Sequence, residues 1–102
     1  MARARFSAAA RRDLSNILGY IANESGSATT ARSFVRRLQE KCDDLAALPG
    51  TIGASRPELA DDLRSYAFKG YVIFFCYEGD ILRVITVLQG QRDVLSYFES
   101  DD

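Results

Sequence analysis

Apolar residues recur at helical intervals along the first half of the chain and at alternate positions along the second. Leu14, Ile17, Leu18 and Ile21 fall at i, i+3, i+4 and i+7, which places one stripe of a helix against a core. Ser7 is a suitable N-cap, the helix is expected to run to about Glu24, and Gly26 should end it. A second stripe, Ala31, Phe34, Val35, Leu38, Cys42, Leu45 and Leu48, follows a cap at Ser27 or Thr29 and stops at Pro49-Gly50. Two such helices joined by so short a turn form an antiparallel hairpin. Ahead of them, residues 3–6 alternate polar and apolar as an edge strand does. Residues 51–57 have no period and read as a connecting loop.

From residue 63 the period becomes two. Segments 63–68, 71–77 and 81–88 are rich in aromatic and β-branched residues, and Lys69-Gly70 and Glu78-Gly79-Asp80 separate them. They predict an antiparallel three-stranded meander, with a short helix over 91–98 to follow. A two-residue first turn and a three-residue second turn would put Arg64, Tyr66, Phe68, Tyr71, Ile73, Phe75, Tyr77, Ile81, Arg83, Ile85 and Val87 on one face. Leu63, Ser65, Ala67, Val72, Phe74, Cys76, Leu82, Val84, Thr86 and Leu88 would lie opposite. Both faces are largely apolar, and a helical hairpin covers only one. The smaller set, with Val72, Phe74, Val84 and Leu88, is expected beneath the helices. The aromatic face is then left for a partner or for the chain's own ends.

Composition narrows the chemistry. The 102 residues, 47% apolar, make one domain with a single core, 1–102. Neither a signal peptide nor a membrane span is expected, because the longest apolar run, 71–77, is too short, and a cytoplasmic location is the default. The absence of histidine removes the commonest general base and the usual Ser-His and Cys-His pairs. Cys42 and Cys76 sit within apolar patterns and read as packed thiols, with no metal site or cofactor expected. Residues 1–41 carry eight Arg/Lys against three Asp/Glu, and residues 42–102 carry five against eleven, so the net −1 conceals a basic first part. A chain so nearly neutral is poorly suited to sequence-independent binding along a phosphate backbone. Arg11-Arg12 and Arg36-Arg37 face either solvent or an acidic partner.

Gly53-Ala-Ser-Arg-Pro-Glu-Leu59, Asp62-Leu-Arg64, the aromatic run 71–77 and Val84-Ile-Thr-Val-Leu-Gln-Gly-Gln-Arg-Asp93 follow one another in an order that resembles the ParE branch of the RelE/ParE toxin superfamily. The resemblance covers nearly the whole chain. It implies an α+β fold in which an N-terminal strand precedes an antiparallel helical hairpin packed on a twisted antiparallel β-sheet meander. It also implies a type II toxin that inhibits DNA gyrase by binding, without catalysis, and that a ParD-like antitoxin neutralises in a toxin–antitoxin hetero-oligomer. DNA would be reached only through the antitoxin. With the residue pattern, it nominates Ile17, Tyr20, Phe34, Leu38, Arg64, Tyr66, Tyr71, Phe75 and Arg83 for antitoxin binding, and Arg92, Asp93 and Tyr97 for the target.

The RelE branch offers a second reading, a ribosome-dependent mRNA endonuclease. That chemistry needs an acid or base at the 2′-hydroxyl and cations at the phosphate, and Arg64, Arg83, Arg92 and Tyr97 are the available groups. Only Lys41 and Lys69 add to the arginines, and many relatives have histidine where this chain has Gln89. A third reading is an inert antitoxin-binding relative. Gly90 is expected to permit a backbone turn, Arg56-Pro57 to fix a loop, and Arg92 and Asp93 to cap or pair at a helix start.

Overall fold

The computed structural model describes residues 3–48 and 52–90. The order is β1 (Arg3–Phe6), α1 (Ala8–Ser25), α2 (Ala28–Ala47), β2 (Ala54–Ser55), β3 (Arg64–Phe68), β4 (Tyr71–Glu78) and β5 (Ile81–Gln89). The helix limits follow local chemistry. Ser7 Oγ accepts from the Ala10 amide, Gly26 ends α1 in the left-handed conformation at φ 71°, and Ser27 Oγ accepts from the Thr30 amide. The helix expected over 91–98 lies outside the described residues.

The strands form one mixed sheet in the order β1-β5-β4-β3-β2. β1 runs parallel to β5, with Arg3 beside Ile81 and Phe6 beside Val84, so the first strand adds to the meander at the edge of its last. The expected loop contains a two-residue strand, β2, that pairs with Arg64 and Ser65. Lys69 and Gly70 both have positive φ, as a type I′ hairpin requires, and Phe68 pairs with Tyr71 as the alternation predicts.

The second turn differs from expectation. Glu78 pairs with Ile81, so only Gly79 and Asp80 make the turn, and Gly79 takes φ 61°. Tyr77 therefore meets Leu82, Phe75 meets Val84, and Arg83 falls beside Cys76 on the opposite face. A β-bulge then shifts the register at Ile85, and Val87 returns to the face of Ile73.

Leu82 and Val84 lie beneath the helices as expected, but for β3, β4 and the end of β5 the faces are opposite to expectation. The helices cover the aromatic face: Ile73, Phe75, Leu82, Val84 and Val87 are buried with Ala10, Leu14, Ile17, Leu38, Cys42, Leu45 and Ala46. Phe6, Phe34, Tyr66, Phe68, Tyr71 and Tyr77 pack around this core, partly buried. The rings fit because the helices bring Ala10, Cys42 and Ala46 to the contact, leaving depth for large groups. Tyrosine also keeps its polar tip at the rim. The Tyr77 hydroxyl accepts from the Ile52 amide at 3.0 Å, and Lys41 Nζ lies 5.4 Å from the centre of the Tyr66 ring. On the other face Leu63, Phe74 and Leu88 form a second buried cluster, with Leu59, Val72 and Ile85 against it.

Candidate protein-binding groove

The Ile85 bulge removes part of the sheet's regular pairing where α1 crosses it, and a helix side chain restores it. Asp13 Oδ2 accepts from the Val87 amide at 3.0 Å and from Thr86 Oγ1 at 2.5 Å. Ser7 Oγ donates to the Ile85 carbonyl at 2.7 Å. These contacts fix α1 across β5, and the space beyond them opens into a cleft.

That cleft, about 270 Å³, runs over Asp13, Asn16 and Ile17 to Tyr20, with Tyr71 and Val87 to Gln89 as its sheet wall. A second hollow of about 480 Å³ shares Tyr20, Tyr71 and Gln89 and continues past Ile21, Phe34, Lys69 and Gly90. Together they make a groove at the end of the hairpin where the helices part from the sheet. Its wall is aromatic: Phe34 lies 5.6 Å from Tyr71 and 6.5 Å from Phe68, ring centre to ring centre. Tyr20 is 51% exposed, one of two large hydrophobic residues so open among those described. Burial, and then the neighbouring Tyr20, push the Tyr71 phenol above its ordinary value, so it stays a neutral donor across the physiological range. The far end is closed by backbone, where the Gly90 amide donates to the Gly70 carbonyl at 2.9 Å. A Cβ on Gly90 would stand 3.3 Å from that carbonyl oxygen, so close approach, more than a turn, accounts for glycine here.

Of the residues nominated for antitoxin binding, Tyr20, Phe34 and Tyr71 converge on this groove, with Ile17 buried in its floor. Leu38 and Phe75 are 1% and 0% exposed and belong to the core, a correction that follows from the reversed faces. Tyr66 is partly buried under the helices and away from the groove lining. Arg64 is committed internally: its Nε donates to the Ile52 carbonyl at 2.9 Å and its Nη2 to the Gly53 carbonyl at 2.8 Å. Arg83 lies on the opposite face, exposed, with Nη1 3.9 Å from Glu78. Arg92, Asp93 and Tyr97 lie outside the described residues. Sequence reasoning missed Asp13, Asn16, Lys69 and Gln89 as groove residues. Asp13 alone carried a signal, a carboxylate one residue before the apolar stripe of α1.

The Arg-Pro-Glu-Leu loop is structural here. Arg56 Nε donates to the buried Ser65 hydroxyl at 2.9 Å, its amide donates to the Leu63 carbonyl, and Leu59 packs onto the second cluster. Gly53 approaches β3 so closely that a Cβ would stand 2.5 Å from the Ser65 carbonyl oxygen. Among the described residues no group of His, Cys, Asp and Glu is placed to hold a metal ion, and no helix is long and apolar enough to cross a membrane.

A helical hairpin on a mixed sheet, with an aromatic groove where the two part, defines a small α+β module with a surface suited to protein recognition. Residues 4–94 match the family described as the ParE toxin of the type II toxin-antitoxin system, parDE, and the chain belongs to that family. Its fold is similar to a solved chain of the chromosomal ParDE TA system from P. aeruginosa, with a TM-score of 0.72 at 19% identity, over 87% of this chain and 96% of that one. No curated protein sequence matches the chain.

Proposed function

We propose that this ParE-family toxin acts by binding DNA gyrase and halting its cycle, and that a ParD-like antitoxin neutralises it by laying an apolar helical segment into the groove of Tyr20, Phe34 and Tyr71. The aromatic groove carries this reading, since rings held on a rigid scaffold match the i, i+3, i+4 anchors of an amphipathic helix. Toxin and antitoxin form a hetero-oligomer, and the toxin is brought to promoter DNA through the antitoxin. Arg92, Asp93 and Tyr97 remain the proposed target contacts.

Binding without catalysis is favoured over RNA cleavage by the separation of the arginines. Arg64 pairs with Phe75 and Arg83 with Cys76, successive residues of β4 that face opposite ways, so the two guanidiniums do not share a site. The test is gyrase supercoiling and DNA cleavage by the purified chain, alongside translating ribosomes as an RNA-cleavage control. Trapped double-strand breaks with intact RNA, relieved by the antitoxin, are expected. Cut messenger RNA with intact DNA would transfer the protein to the endonuclease reading. Neither activity from folded protein would leave an inert antitoxin-binding relative.

A further inference from the structure

At the other end of α1 from Tyr20, Arg5, Arg11 and Arg83 line a cleft of about 500 Å³ with Ser7, Glu78 and Ile81. All three cations are placed against their own electrostatics. Arg5 and Arg83 are direct neighbours on the parallel strands β1 and β5, where like charges repel. Both project away from the helix-covered face, because Ala4, Phe6, Leu82 and Val84 on either side of them pack into the core. Arg11 lies in the first turn of α1, which has no acidic residue and where the helix dipole disfavours a cation. The one carboxylate in the lining among the described residues, Glu78, stands 3.9 Å from Arg83, beyond hydrogen-bond distance. Among the described residues, three guanidiniums against one carboxylate leave a charge of +2 around a single opening.

We infer that this cleft is an anion site that takes a phosphate group. A phosphate monoester or inorganic phosphate is close to a dianion at neutral pH and offers three or more acceptor oxygens, so it can engage several guanidinium forks at once. A lone carboxylate has half the charge and fills one fork. The site holds one phosphate and needs no basic tract, which is consistent with the chain's small net charge. The phosphate comes either from a free nucleotide or phosphate, or from a nucleic-acid backbone.

The test is an NMR titration of the ¹⁵N-labelled full chain with inorganic phosphate, ionic strength being held constant with chloride. Saturable shifts of the Ser7, Arg11 and Arg83 amides are expected in the wild type. An affinity at least tenfold lower is expected in Arg5→Gln/Arg83→Gln, whose exposed positions leave the fold, checked by its amide spectrum, intact. Adenosine monophosphate and a short DNA duplex, added separately, distinguish the sources by which of them displaces phosphate at lower concentration. Equal shifts with chloride, unchanged affinity in the double variant, or stronger binding of a glutamate-rich peptide than of phosphate would each overturn the assignment. Antitoxin binding at the Tyr20 groove should be the same for Arg5→Gln and the wild type, so failure here is separable from failure of the functional reading.

Discussion

Replacing Asp13 by alanine tests the bulge clamp directly. Its carboxylate is the acceptor for the Val87 amide and the Thr86 hydroxyl, and Thr86 and Val87 are 0% and 4% exposed. A hydrogen bond to a charged group contributes about 1.5–3 kcal/mol, and a buried donor left without a partner costs about 1–3 kcal/mol. The adjoining cleft admits water to part of the site, so the two losses do not add in full. Asp13→Ala should lower the unfolding free energy by about 2–4 kcal/mol, a fall in Tm on the order of 10–20 °C for a domain of this size. Asp13→Asn keeps a carbonyl acceptor and should lose about 1–2 kcal/mol. In Thr86→Val the orphaned hydroxyl is absent, so Asp13→Ala should cost about 1 kcal/mol less in that background than in the wild type. Urea denaturation of the five proteins, the wild type, the three single variants and the double variant, measures each quantity. An Asp13→Ala midpoint and m-value within error of wild type would refute the account, as would simple additivity in the cycle.

The reversed faces give a second prediction: Phe75→Ala should cost roughly 3–5 kcal/mol, and Ile85→Ala, at the half-exposed bulge, clearly less, in the same assay. Arg64→Gln should free the Ile52 and Gly53 carbonyls and speed limited proteolysis between residues 52 and 60, while the folded amide spectrum is kept. Burial, reinforced by Asp43, pushes the Cys42 thiol up to about 12 from 9.0. Stability from this group is therefore full below pH 9 and falls above it, by up to about 1.4 kcal/mol per pH unit, until the folded thiol ionises near 12. That slope should be missing from Cys42→Ala, and Cys42 in the native wild type should react with a thiol reagent only on unfolding, whereas the partly exposed Cys76 reacts beforehand.

The helices and their caps were legible because each is written within a few neighbouring residues: Ser7, Gly26 and Ser27 stand where the period begins and breaks. The first hairpin was legible for the same reason, since Lys69-Gly70 is a local turn code. The second hairpin was not. Glu78-Gly79-Asp80 is compatible with two or three turn residues, and nothing in the alternation of 81–88 marks Ile85 as an inserted residue. The choice of face failed on a different point. It weighed the sheet's side chains alone, whereas the fit is set jointly with Ala10, Cys42 and Ala46 across the interface. The groove was half legible: helix periodicity sets Tyr20 outside the apolar stripe of α1 and Phe34 within that of α2, but their meeting with Tyr71 and Gln89 depends on long-range docking.

The parallel pairing of β1 with β5 also sets the order of events at the ribosome. Ser7 meets Ile85 across 78 residues of sequence, so β1 lacks the strand it pairs with until β5 has emerged. At about 5–20 residues per second, that wait is roughly 4–16 s for each newly made chain. Throughout it the groove lacks the β5 wall that carries Gln89, and the arginine cleft lacks Arg83. Neither the groove nor the cleft is complete before β5 has emerged, and both are completed together by that one strand.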